Sequence, residues 1–98
     1  MAGATKVGKN LNTKDLLHRI VVALVDSPDE VQVKSADSEQ GTTFLVTVAP
    51  TDVGKVIGKG GRNAQALRSL LSAFGMKLRA RYSLDIVSRQ VTENPRKL

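Results

Sequence analysis

Between Val53 and Arg62 the chain reads Val-Gly-Lys-Val-Ile-Gly-Lys-Gly-Gly-Arg, and the glycines at 58, 60 and 61 separate one helical pattern from the next. Glycine is poorly suited to the interior of a helix or strand, so this cluster predicts a tight turn. Without a Cβ, the backbone there can take otherwise costly dihedrals and let a bulky ligand come close. A helix opening near Arg62 adds unpaired amides and a partial positive charge, and Lys59 and Arg62 add full charges. Together these favour an anion such as a phosphate. A bare turn between two helices, with no ligand, accounts for the same local composition.

The flanking patterns predict the elements that carry this turn. Asn12 or Thr13 can cap a helix with the apolar stripe Leu16, Leu17, Ile20, Val21 and Leu24, ending near Asp26 ahead of a Ser27-Pro28-Asp29 turn. Val31 to Lys34 alternate as a short strand, Asp37 to Gly41 form a polar connection, and Phe44, Val46 and Val48 alternate in a second strand. Pro50 closes it, and Thr51 or Asp52 can cap a short helix through Ile57. After the glycines, Ala64, Leu67, Leu70, Leu71 and Phe74 recur at helical spacing up to Gly75, a natural left-handed stop. Leu78, Ala80, Tyr82, Leu84 and Ile86 then alternate with polar residues as a final strand. The order is α-β-β-α-α-β, an α+β fold. A crossover through two helices makes a three-stranded mixed sheet with the helices on one face. Residues 12–88 form this domain, with a basic tail over 1–11 and a second polar tail over 89–98.

Composition removes most alternatives. The 98 residues contain no cysteine and one histidine, His18, so thiol chemistry and a histidine-rich metal site are excluded. No apolar run reaches the length of a membrane span and no secretory signal is visible, so a cytoplasmic location is expected. The formal net charge is +6, and the positive charge lies in the second half. From Val53 to Leu84 there are seven basic residues (Lys55, Lys59, Arg62, Arg68, Lys77, Arg79 and Arg81) and no carboxylate. This suits a polyanionic partner, although a solvated basic face also explains it. A nucleic-acid hydrolase needs clustered carboxylates to hold metal, and the basic half offers only Asp85 and Glu93. The acidic residues Asp26, Asp29, Glu30, Asp37 and Glu39 match no calcium loop and read as a solvated edge. No catalytic residue, metal or cofactor is expected.

Two nucleotide-binding motifs fail on the same glycines. Counted from Gly54 as a P-loop, Lys59 falls where the second glycine belongs. Counted from Gly58 as a dinucleotide fingerprint, Asn63 replaces the third glycine, and the loop follows a helix instead of a strand. The run Val56-Ile57-Gly58-Lys59-Gly60-Gly61 instead resembles the Val-Ile-Gly-x-x-Gly signature of KH domains, and the element order resembles the bacterial type II arrangement. With Val31-Gln32-Val33, Val48-Ala49-Pro50 and Gly61-Arg62-Asn63-Ala64-Gln65-Ala66-Leu67-Arg68, the chain is similar to the small single-KH proteins of the KhpA family over roughly residues 13 to 87.

The resemblance implies single-stranded RNA binding. Gly58, Lys59, Gly60, Gly61 and Arg62 would clamp phosphate, Val53, Val56 and Ile57 would supply apolar surface beside or beneath the loop, and Lys55 would add charge. It places the second wall of the groove after Gly75, with Lys77, Arg79 and Arg81 lining it. It implies an RNA chaperone or post-transcriptional regulator acting with a KhpB-like KH partner or with itself. Two departures stand out: Ala64 is smaller than the aliphatic residue many KH domains carry, and Gly60 removes one polar side chain from the loop. The alternative is an interaction module with weak or no RNA binding that dimerises through an apolar helix face around Leu71, Phe74 and Met76.

Overall fold

A computed structural model describes residues 12–89; apart from Arg89, the two tails lie outside the described residues. Helix α1 spans Thr13–Leu24, strand β1 Gln32–Ser38, β2 Gly41–Val48, helix α2 Val53–Ile57, α3 Arg62–Leu78 and β3 Tyr82–Ser88. The order is the expected α-β-β-α-α-β. β2 is central, antiparallel to β1 and parallel to β3. Phe44, Val46, Val48 and Leu84 face the helices and enclose one core with Leu17 and Val21 of α1, Val56 of α2, and Leu67 and Leu71 of α3. Burial of these side chains is the main term holding helices to sheet. Phe44 and Tyr82 close one end of it as an edge-to-face pair with centroids 5.1 Å apart.

The boundaries depart from the sequence reading in four places. Asn12 caps α1, its side-chain oxygen accepting from the Asp15 amide at 2.8 Å, but the helix stops at Leu24. It stops early because the amides of Asp26 and Ser27 donate to the Asp52 carboxylate at 3.2 and 3.0 Å, which draws the chain out of helical geometry. Asp52 is thereby no side-chain cap of α2. β1 runs on to Ser38, and only Glu39 and Gln40 separate the strands of the hairpin. The end of β1 is solvent-exposed, so its side chains carry no alternation, and the backbone ladder from Ser35↔Phe44 to Ser38↔Gly41 sets its length.

The largest departure is at Gly75. It does not stop α3: the helix continues three residues, and Arg79 takes the left-handed position (φ 58°, ψ 45°). The Ala80 amide donates to the Gly75 carbonyl at 2.8 Å and the Arg79 amide to that of Met76 at 3.4 Å, the two bonds of a Schellman closure. Glycine is needed at 75 because the Ala80 carbonyl crosses there: a Cβ would lie 2.4 Å from its oxygen. The alternation from Leu78 therefore misplaced the start of the last strand, since Leu78 is in the helix and 57% exposed, and pairing begins at Tyr82. Gly75→Ala is expected to destabilise the domain by about 2 kcal/mol through this overpacking, read by denaturant unfolding. An unchanged midpoint would mean the closure yields freely.

Candidate functional site

Each step from β2 to α3 fixes the glycine turn. Ala49 and Pro50 lead into a short 3-10 turn, Pro50–Asp52, which hands the chain to α2. Val56 is fully buried and anchors that helix in the core, so it lies beneath the loop and presents no surface, whereas Val53 and Ile57 are half-buried. Gly58 ends α2 with its amide donating to the Gly54 carbonyl at 2.8 Å. Its dihedrals, φ 80° and ψ 165°, lie in a region that only glycine occupies readily. Gly60 (φ 65°) and Gly61 (φ 80°) continue the turn in left-handed geometry, and a Cβ on either would meet nothing within 4 Å. α3 starts at once at Arg62, and the Asn63 side chain donates to the Lys55 carbonyl at 2.9 Å, tying the two helices across the loop.

Gly60 and Gly61 therefore leave open space over their backbone at the N-terminus of a 17-residue helix, while Gly58 packs against Asn63. Lys59 and Arg62 are exposed and join no ion pair among the described residues. Lys55 is turned elsewhere: its ammonium lies 3.3 Å from Asp26 and 3.9 Å from Asp52. Two members of the supposed solvated acidic edge are thus paired, Asp26 with Lys55 and Glu30 with Arg89.

Beside the turn runs a groove of about 430 Å³, bounded by Ile57, Gly60, Gly61 and Arg62 on one side and Ile86 of β3 on the other. Ala64, Gln65 and Arg68 of α3 complete it, and Arg68 donates to the Leu84 carbonyl of the edge strand at 3.3 Å. The sequence reading did not assign Ala64, Gln65, Arg68 or Ile86 to the site. The signal was present in the spacing of Arg62, Gln65 and Arg68, which places all three along one side of α3. Lys77, Arg79 and Arg81 are exposed, but Lys77 is in the last turn of α3, Arg79 and Arg81 follow it, and none lines this groove; by helical rise Lys77 is about 14 Å from Arg68. The wall expected from Gly75 to Lys77 is helix instead of loop. Arg81 borders a separate hollow beside the hairpin tip, where the Thr43 and Ser83 hydroxyls bond each other at 2.9 Å.

A sheet of this topology with a Gly-Lys-Gly-Gly turn between its second and third helices defines a KH domain of the type II arrangement. Residues 14–86 match the model of the family described as KhpA/KhpB, KH domain. The chain is 46% identical over 74 residues to "RNA-binding protein KhpA" of Clostridium acetobutylicum, covering 76% of this chain and 99% of that one. Its counterpart of the same name in Halalkalibacterium halodurans is also 46% identical over 74 residues, with 76% and 97% covered. The one from Mycobacterium tuberculosis is 48% identical over 61 residues, with 62% and 76% covered. The chain belongs to the KhpA/KhpB family of KH-domain proteins.

Proposed function

We propose that the protein binds single-stranded RNA, clamping the sugar-phosphate backbone on the Gly58-Lys59-Gly60-Gly61 turn, without catalysing a reaction. The observation that carries this reading is the open backbone of Gly60 and Gly61 at the head of α3, flanked by Lys59 and Arg62, which join no ion pair among the described residues, and continuous with the groove. The Gly61 and Arg62 amides already donate within the turn, so phosphate would meet the positive helix end and two cations, and the bases would lie over Ile57, Ala64 and Ile86. The names of the relatives, which are RNA-binding proteins, support the same reading. Lys55 contributes mainly by holding α2 to Asp26 and Asp52. Lys77, Arg79 and Arg81 add positive potential at the far end of α3. Such a protein works in the cytoplasm as an RNA chaperone or post-transcriptional regulator alongside a KhpB-like KH partner.

The test is a fluorescence titration of a labelled single-stranded RNA with wild type and with Lys59→Asp, Gly60→Asp. Position 60 has room for a side chain, and aspartate tolerates left-handed backbone, so the double variant should fold. Its affinity is expected to fall at least tenfold, and the wild-type log–log salt slope should correspond to two or three phosphates at roughly −0.7 each. Equal binding by both proteins would remove the clamp assignment.

A second reading, pairing with another KH protein, is favoured by the exposure of Leu70, Met76 and Leu78 at 43, 80 and 57%. Leu71 takes no part in that surface, because it is core, and Phe74 is half-buried. The same titration separates the two: an absence of binding by wild type near physiological salt would leave the pairing reading alone.

A further inference from the structure

Arg68 occupies a different position from the other cations of the basic half. It lies six residues beyond Arg62, about 9 Å further along α3 by helical rise, and therefore past the turn that grips the backbone. At this point the groove has an apolar floor of Ile57, Ala64 and Ile86. The Ala64 methyl keeps that floor low where a larger side chain would fill it. The hydrogen bond from Arg68 Nη2 to the Leu84 carbonyl pins the guanidinium to the edge strand at the level of the floor. Arg68 joins no ion pair among the described residues.

A guanidinium has five N–H donors in a rigid plane and no acceptor, and one bond to Leu84 leaves most of them free. A base resting on the floor would present its edge to this fork. Two adjacent acceptors satisfy it, as in guanine N7/O6 or cytosine N3/O2. Adenine sets the N6 donor beside N1 and beside N7, and uracil sets the N3 donor between its carbonyls, so on these edges one arm of the fork would face a donor. Gln65, one turn earlier, carries both a donor and an acceptor and can follow the remaining edge.

We propose that Arg68 is the base-reading residue of this groove and selects a base with two adjacent hydrogen-bond acceptors, guanine or cytosine, over adenine or uracil. The proposal rests on the RNA-binding reading above and adds specificity to a clamp that by itself recognises only backbone.

The experiment measures the affinity of the full chain for labelled eight-nucleotide uridine chains carrying a single central guanine, cytosine, adenine or no substitution, at one salt concentration. Wild type is expected to bind the guanine or the cytosine chain at least fivefold more tightly than the adenine and all-uridine chains. Arg68→Lys keeps the charge and loses the fork, so the preference, read as the ratio of its guanine or cytosine affinity to its own all-uridine affinity, should disappear whatever its overall affinity. A chain with 7-deazaguanine separates the two edges: loss of a guanine preference assigns N7/O6, and a cytosine preference assigns N3/O2. Equal wild-type affinity for all four chains, or a preference that survives in Arg68→Lys, overturns the proposal while leaving the clamp intact. The wild-type comparison decides this even if the variant is unstable. If wild type binds none of the chains, the RNA-binding reading itself fails, and this proposal with it.

Discussion

Asp52→Ala is expected to lower the unfolding free energy by about 3 kcal/mol, a shift of roughly 15 °C in midpoint for a domain of this size. Asp52 is 1% exposed, and its two oxygens accept from the Asp26 and Ser27 amides while facing the Lys55 ammonium. Alanine would leave two partly buried amides without acceptors and open a void beneath the start of α2. Most of the effect belongs to those amides, because Lys55 is substantially exposed and an exposed ion pair contributes little. Lys55→Ala should therefore cost under about 1 kcal/mol. Thermal and denaturant unfolding of the two variants make the comparison. Equal losses in both would show that the ion pair, and not the backbone bonds, holds this junction. Because Asp52 joins the end of α1 to the helix that feeds the glycine turn, its loss should also weaken RNA binding at temperatures where the chain remains folded.

The second large effect is expected at Gly58. Alanine there meets two obstacles at once: a backbone at φ 80° and ψ 165°, and a Cβ placed 2.7 Å from Asn63 Cγ and 2.8 Å from the Asn63 amide nitrogen. Neither can relax without moving Asn63, whose side chain bonds the Lys55 carbonyl and joins α2 to α3. A loss of about 3 kcal/mol is expected, together with at least a tenfold drop in RNA affinity measured below the variant's unfolding transition. Gly61→Ala provides the contrast. It faces the positive φ alone, with open space around the added carbon, so about 1 kcal/mol is expected. Similar losses at both positions would mean that backbone strain alone, without the Asn63 contact, governs the turn.

Much of this architecture was legible before any coordinates. The apolar stripes of α1 and α3, the alternation of Phe44, Val46 and Val48, and the glycines at 58, 60 and 61 are local signals, because helix and strand periods and positive φ leave their mark within a few residues. The misplaced features share a different cause. α1 stops at Leu24 because of the Asp52 carboxylate, 26 residues beyond the Asp26 amide that it accepts from, and α3 passes through Gly75 because the chain returns across that glycine after the helix ends. β1 extends to Ser38 because β2 supplies its ladder.

The candidate site divides in the same way. The turn, its cations Lys59 and Arg62, and the lack of carboxylates between Val53 and Leu84 can all be read from one continuous segment. Which other residues join the turn depends on long-range packing. Packing α3 over β3 brought Arg68 and Ile86 into the groove, the Asp26 and Asp52 carboxylates drew Lys55 away from it, and the length of α3 carried Lys77, Arg79 and Arg81 to its far end. Charge along a chain can be counted, but the direction each charge faces depends on which elements pack together and how far apart a helix holds its ends.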